Sequence, residues 1–438
     1  MKNWINKFRD YPIFFISPDI KRGLGLERIL PDFHLICSYP DPLIPVLRED
    51  NARIFCLSEK SAENRKIPDN SSHILENNLV QKYIKNKSVS NPCISFFKPS
   101  IKLDYLLKKF KFTPLVNSFQ KNEKFENKIK FSRDFSAVIP QFILPFEIFR
   151  LNDLNFSHAV KKFGLPFCLQ FGHGWAGKTT FFIKSVPQLS GLKKKYPATP
   201  VKVTRVVNGY TVLNNCCLYK NQVLQSSPAI QINGFDILSD KVNVTCGRQW
   251  PAEFLDWKML DKIKKITQKV GKQMSLSGYK GFFGLDFLID GKNGEIFISE
   301  INARLTASAP FYTFLETGEN MIPLLAYHFA SFLNIDLPAS FSDAPVEGSQ
   351  IIIRKKTTSE RLKLKDFANY QLVNHRPDLL DEIYHPGNLR PGKFIFHREI
   401  QQRKDAESAR IETKMKALSA PDKLAEWLHS LLNDKMLY

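Results

Sequence analysis

Residues 281–304 read GFFGLDFLIDGKNGEIFISEINAR, and their polar side chains are spaced so that they could grip a hard cation beside an anion. A strand alternates its side chains between two faces, which puts Phe283, Leu285, Phe287 and Ile289 on one face and Gly284, Asp286, Leu288 and Asp290 on the other. The segment DGKNGE supplies turn residues, so IFISEINAR reads as the second strand of a hairpin. Glu300, Asn302 and Arg304 are expected on one face of that strand. Two carboxylates and an amide oxygen are the donors a magnesium-like ion takes. A planar guanidinium beside them suits a phosphoryl group or a carboxylate. The plainer alternative is an acidic pair capping a hairpin end, with Arg304 paired to Glu300.

A second chemical stretch is FCLQFGHGWAGKTTFFIKS, residues 167–185. Gly172 to Thr179 fits the pattern G-x-x-x-x-G-K-[ST], which would be a phosphate loop if a helix came after it. Instead the loop runs into TTFFI, β-branched and aromatic, with Pro187 soon after. These residues favour a strand over a helix. The preferred reading is a glycine hairpin between two antiparallel strands. Backbone N–H groups around Gly172, Gly174 and Gly177, together with Lys178, would close over phosphates. An ordinary glycine-rich surface turn stays open, and so does a true phosphate loop. His173 within the loop reads as exposed.

Other elements must position these groups. IFFIS, FHLICSY, ARIFCLS and CISFF in the first 120 residues look like strands of a small parallel α/β domain, with LDYLLKKF a helix. The polar stretch SFQKNEKFENKIKFSRDF, 118–135, is expected to mark a boundary. A second α/β region runs to about residue 335 and ends in the helical NMIPLLAYHFASFL. Beyond it lie SQIIIRKK and KFIFHREI as strands and PDKLAEWLHSLLNDKM as an amphipathic helix. In 258–274, Met259, Ile263, Ile266, Val270 and Met274 recur at helical spacing, so the lysines between them read as the wet side of a packed helix.

The chain has 438 residues, 43% hydrophobic and 24% charged, which suits two to three domains with ample core. Its formal charge of +20 raises polyanion binding as a class, but the basic residues are scattered and no nucleic-acid motif accompanies them. Nucleic acid is therefore disfavoured as a partner. Seven dispersed cysteines show no zinc spacing and argue against a disulfide framework. No apolar run of about 18 residues is present, so no membrane span is expected, and a reducing cytoplasm is the default compartment.

Four features occur in order: Asn127-Lys128, the glycine hairpin, the Asp286 strand, and Glu300-Ile301-Asn302-Ala303-Arg304. Together they resemble the ATP-grasp superfamily, in the branch of biotin carboxylase, carbamoyl-phosphate synthase and D-alanine–D-alanine ligase. The resemblance covers roughly residues 1–335. It implies an α/β pre-ATP-grasp domain over 1–120, a two-lobed ATP-grasp domain over 121–335 whose mobile lobe spans about 155–215, and a C-terminal α+β extension over 336–438.

The resemblance also implies roles. Asp286, Glu300 and Asn302 would hold Mg2+, with Mn2+ as the other candidate. Lys128, Gln170, the loop glycines, Lys178 and the backbone at Val206 and Val207 would bind ATP. Arg304 and Lys178 would act on the transferring phosphoryl group, and Arg248, Arg304, Thr306 and Ser308 would meet the substrate. Gln170 stands where family members carry a phosphate-binding lysine. Thr204 and Arg205 replace the acidic residues usual at the hinge, and Leu305 to Ser308 lack the acid that biotin carboxylase uses for bicarbonate. The expected activity is an ATP-dependent carboxylate–amine ligase working through an acyl phosphate on a small acid and an amine, such as amino acids or a peptide. A homodimer is one assembly open to it. The rivals are a nucleotide-binding scaffold without turnover, a P-loop NTPase or kinase, and a nucleic-acid-binding protein.

Overall fold

The computed structural model of the chain describes residues 3–60, 67–174, 179–241, 244–338, 344–366, 368–373, 376–381, 389–398 and 407–433. Five strands, β1 (Ile13–Ile16), β2 (Phe33–Cys37), β3 (Arg53–Cys56), β4 (Cys93–Phe96) and β5 (Thr113–Pro114), form a parallel sheet in the order β3-β2-β1-β4-β5. Parallel strands are covered on both faces, which is why β1, β2 and β4 are unbroken runs of buried residues. Phe15 and Leu35 pack towards one core, and Phe14, Ile36 and Ile94 towards the helices on the other side.

The polar stretch expected as a boundary is two helices, Phe119–Glu126 and Lys128–Phe135, joined at Asn127. Lysines and glutamates dominate the composition there, but Phe125, Ile129, Phe131 and Phe135 form a buried stripe. The Asn127 side chain accepts from Ile129 N and Lys130 N at 3.1 Å each, capping the second helix.

Strands β6 (Phe146–Arg150), β7 (Phe167–Phe171), β8 (Thr180–Ile183) and β9 (Pro200–Arg205) make an antiparallel sheet ordered β6-β9-β7-β8. β8 is the strand that TTFFI suggested, so the glycine loop joins two antiparallel strands.

Among the described residues the largest sheet has eleven strands. β10 (Gly209–Tyr219), β12 (Ala229–Gln231), β13 (Gly247–Trp250), β14 (Gly281–Asp290) and β15 (Ile296–Asn302) form one half, with β11 (Gln222–Gln225) beside β10. β16 (Gly348–Ile353), β17 (Ala368–Val373), β18 (Arg376–Asp381), β19 (Lys393–Arg398) and β20 (Ala409–Thr413) complete it, in the order β15-β14-β10-β12-β13-β16-β20-β19-β17-β18. The described strands after residue 336 thus continue the sheet that carries Asp286.

Helix Trp257–Leu276 buries Ile263, Ile266, Val270 and Met274 and leaves most of its lysines outward. Helix Leu324–Leu333 packs on β10 and β14 and is apolar nearly all round, as a helix buried on every side must be. The seven cysteines are free and buried. Among the described residues no helix is long and apolar enough to cross a membrane. The fold is mixed α/β, an N-terminal parallel sheet with two antiparallel sheets after it.

Candidate active site

In the β14–β15 hairpin, Asp286 lies directly opposite Glu300 and Gly284 opposite Asn302. A bulge follows Asp286, whose neighbour Phe287 pairs with Ile298. Bulges re-aim side chains, and this one sits beside the acidic pair. The Asn302 amide donates to Asp286 Oδ1 at 3.2 Å, and the ammonium of Lys128, itself buried at the start of its helix, pairs with Glu300.

Two touching carboxylates cannot both ionise cheaply in a buried place. Burial and the charge of Glu300 push Asp286 well above the usual carboxylate range. Burial would raise Glu300 too, but Lys128, the hydrogen bond from Asp286 and Arg304 hold it down at about 2. The pair therefore calls for a countercharge, which a divalent cation could supply. The two carboxylates are hard-cation donors; Asn302 turns its amide nitrogen to Asp286 and its oxygen to Arg304, so it would join them through oxygen only with the amide turned over.

Arg304 lies past the last residue of β15, so it does not share a strand face with Glu300 and Asn302. It reaches the same place from the following bend. Its Nε donates to Glu126 Oε1 at 3.0 Å, one terminal nitrogen donates to Asn302 Oδ1 at 3.0 Å, and the guanidinium sits 5.0 Å from the Phe97 ring centre. Its ion-pair partner is Glu126 rather than Glu300. Thr306 and Ser308 both donate to Asn215 Oδ1, at 2.9 and 3.0 Å, and lie 2.7 Å apart. The packing is close: a Cβ on Gly284 would meet Thr306 Cγ2 at 2.5 Å.

These groups line one cavity of about 1060 Å3, large enough for a nucleotide-sized ligand. Lys128, Gly174, Arg248, Asp286, Glu300, Asn302, Arg304, Thr306 and Ser308 all border it. Its other wall is Ser17 and Pro18 just after β1, and Phe97 and Lys98 just after β4. The cavity thus opens outside the carboxyl ends of the parallel strands, where open α/β sheets bind ligands.

Gln170, Gly172, Val206 and Val207 do not line it. Gly172 O accepts from Lys128 N at 2.9 Å, which ties the Lys128 helix to the end of β7. A Cβ there would press on the Asn127 side chain at 3.0 Å. His173 is exposed and faces Asn127 Nδ2 at 3.0 Å and Glu123 Oε1 at 3.1 Å. Val206 and Val207 lie in the link between β9 and β10, half-buried, and the neighbouring Arg205 pairs with Asp290 at 3.0 Å. Gly177 and Lys178 lie outside the described residues.

Gln170 donates to Thr180 Oγ1 at 3.3 Å, and its cross-strand neighbour on β9 is Lys202. Lys202 is 6% exposed and donates to Ser132 Oγ at 3.1 Å; among the described residues no carboxylate pairs with it. Burial, and more weakly the charge of Lys128, push it down to about 8. Sequence reasoning passed over this residue. In PVKVT, Val201 and Val203 enter the core of the small sheet while Lys202 faces the other way. A lysine on the second face of so apolar a strand was the available signal. Arg22 and Arg410 on the cavity wall were missed as well, because nothing local to either marks it.

No family model and no curated protein matches the sequence. Solved structures do match the fold. The chain superposes on the ADP complex of N5-carboxyaminoimidazole synthetase from Staphylococcus aureus with TM-score 0.58 at 13% identity, covering 92% of both chains. The biotin carboxylase domain of Hydrogenobacter thermophilus 2-oxoglutarate carboxylase, with MgADP, ADP and bicarbonate, gives 0.62 at 12% identity, covering 92% of this chain and 86% of that one. L-amino acid ligase from Bacillus licheniformis gives 0.56 at 13% identity, covering 92% and 93%. The chain has the ATP-grasp fold.

Proposed function

We propose that this protein is an ATP-dependent ligase that joins a small carboxylic acid to an amine through an acyl phosphate. The observation that carries the reading is the cross-strand carboxylate pair Asp286 and Glu300, with Asn302 and Lys128, on the wall of a nucleotide-sized cavity. The structural neighbours bound to ADP and the amino acid ligase among them support it.

In the first step a substrate carboxylate oxygen attacks the terminal phosphorus of ATP and ADP leaves. In the second the amine nitrogen attacks the acyl carbon, and phosphate and a proton depart. Asp286, Glu300 and Asn302 would hold Mg2+ or Mn2+, which supplies charge neutralisation for the phosphates. Lys128 presents a buried ammonium group to Glu300, and Lys202 is a second buried ammonium, hydrogen-bonded to Ser132. Arg304, held by Glu126 and by Asn302, is set to meet the transferring phosphoryl group or the substrate carboxylate. Thr306, Ser308 and Arg248 border the same cavity and would meet the substrate. No protein nucleophile is needed, because positioning and fixed charge do the work. Residues 1–120 would form one wall of the cleft, and the β6–β9 sheet the lobe that closes over nucleotide.

The test is release of ADP from ATP with Mg2+ and a panel of acids and amines. Wild type should turn over in the presence of one acid–amine pair. Asp286→Asn and Glu300→Gln should each lower turnover by at least about 100-fold while the proteins stay folded, as expected when preorganised electrostatic groups are removed. Nucleotide binding without turnover for any pair would leave a scaffold. Turnover untouched by both substitutions would end the proposal.

A further inference from the structure

Away from Asp286 the cavity is walled by arginines drawn from three separate parts of the chain. Arg248 is on β13, Arg22 ends the 3-10 turn Ile20–Arg22 of the first α/β unit, and Arg410 is on β20. Arg248 pairs in register with Gln350 of β16, and Gln350 with Glu412 of β20, so Arg248 and Arg410 point from the same sheet face.

Their partners are unequal. Arg410 is fixed by Glu407, with Nε 2.6 Å from Oε1 and a terminal nitrogen 2.9 Å from Oε2. Arg22 lies 3.7 Å from Asp19 and stacks 4.9 Å from the centre of the Phe97 ring. Arg248 is 5% exposed, its Nε has no hydrogen-bond partner, and among the described residues no carboxylate pairs with it. Burial, and then repulsion from Arg410 and Arg22, push it down to about 9. A buried guanidinium without a partner is costly and destabilises the ligand-free fold. Arg410 also lies 3.5 Å from Glu412, so two carboxylates serve Arg410 and Asp19 serves Arg22, while Arg248, the most enclosed of the three, pairs with none among the described residues.

We propose that Arg248, Arg22 and Arg410 form a second anion site, which takes a carboxylate or phosphoryl group carried by the substrate away from its reacting end. The site rests on the ligase reading only in supposing that this cavity is the substrate cleft. Three strand steps, β14 to β10 to β12 to β13, separate Asp286 from Arg248, or about 14 Å between backbones at ordinary strand spacing. An acid or amine that fills both ends is therefore extended and carries at least one permanent negative charge.

The experiment titrates the full chain with inorganic phosphate and, separately, with succinate, read by calorimetry and thermal shift. Mg-ADP binding to the wild type is measured alongside and reports on the nucleotide site independently. Arg248→Met should weaken binding of at least one probe tenfold or more. It should also raise the unfolding temperature of the ligand-free protein, because an unpaired buried charge is gone. Arg22→Gln, at a more open position, should weaken the same probe and serves if Arg248→Met fails to fold. Stronger binding of phosphate identifies a phosphoryl substrate, and stronger binding of succinate a carboxylate. Probe affinity unchanged in both arginine variants, or lost in Lys202→Met and kept in Arg248→Met, overturns the site. A lower unfolding temperature in Arg248→Met with unchanged probe affinity overturns it too and marks the arginine as structural. Failure of Mg-ADP to bind the wild type would count against the ligase reading alone.

Discussion

Gln170 occupies the place where a phosphate-binding lysine was expected, and Lys202 stands directly across the strand pair from it. A cation moved one strand sideways keeps its charge beside Lys128 while changing its place in the sequence. Lys202 is enclosed, hydrogen-bonded to Ser132 and near Cys168, Lys128 and Glu300, and burial pushes its ammonium down to about 8. If it binds phosphate, the charged form is required. Mg-ADP affinity should therefore fall as pH rises above about 8, and binding there should take up a proton. Calorimetry in two buffers of different ionisation enthalpy would show that uptake. Lys202→Arg stays charged and should abolish the pH slope, since a guanidinium does not titrate in this range. Lys202→Met should weaken Mg-ADP roughly 10- to 100-fold at pH 7, the scale of one charge-assisted hydrogen bond. A pH-independent affinity equal in wild type and Lys202→Met would remove Lys202 from the nucleotide site.

The elements that hold these side chains differ in how far they could be read from sequence. The β14–β15 hairpin was legible because its apolar face is continuous and its turn is written in DGKNGE; the bulge that sets the acidic pair was not, since no residue type announces it. Strand periodicity alone puts Arg304 on the face of Glu300, and the strand ends two residues too early for that. The helices Phe119–Glu126 and Lys128–Phe135 were hidden because half of their residues are charged, and only their caps and a stripe of phenylalanines show them. The second helix nonetheless decides where Lys128 sits. Asn127 caps it, touches His173 and packs under Gly172, so it couples the helix to the glycine loop. Asn127→Ala should cost about 1–2 kcal/mol of stability, as lost N-caps do. It should also weaken Mg-ADP several-fold, because Lys128 loses its fixed helix start. Denaturant melts and nucleotide titration of that variant and of Asn127→Asp, which can still cap, separate the two effects. If Asn127→Ala binds nucleotide like wild type, the helix start does not position Lys128.

At the scale of the whole molecule, the cavity is walled by the ends of the parallel sheet and by both halves of the eleven-stranded sheet. The segment expected as a C-terminal α+β extension supplies β16 to β20 of the central sheet and brings Arg410 to the cavity. Its place could not be seen in sequence because strand pairing between β13 and β16, and between β16 and β20, joins residues about 100 and 60 apart, leaving no local trace. Ile351, Ile353, Phe394, Phe396 and Ile411 are fully buried in the same core as Phe283 and Phe287. At about 1.5–3 kcal/mol for each buried side chain, they contribute on the order of 7–15 kcal/mol, as much as the net stability of a typical protein. A chain ended at residue 338 would also leave β13 as an unpaired edge, open to pairing with other copies. Such a truncation is expected to aggregate, or to lose its cooperative thermal transition, rather than to persist as a smaller ATP-grasp unit. The full chain should melt in a single step, since Phe33 of the first sheet and Trp250, Tyr312 and Phe329 of the large unit share one core. Circular dichroism melts and size-exclusion chromatography of both chains decide the matter. A monomeric, cooperatively melting 1–338 would mean that the last hundred residues are an attachment and that the cleft is built from two parts instead of three.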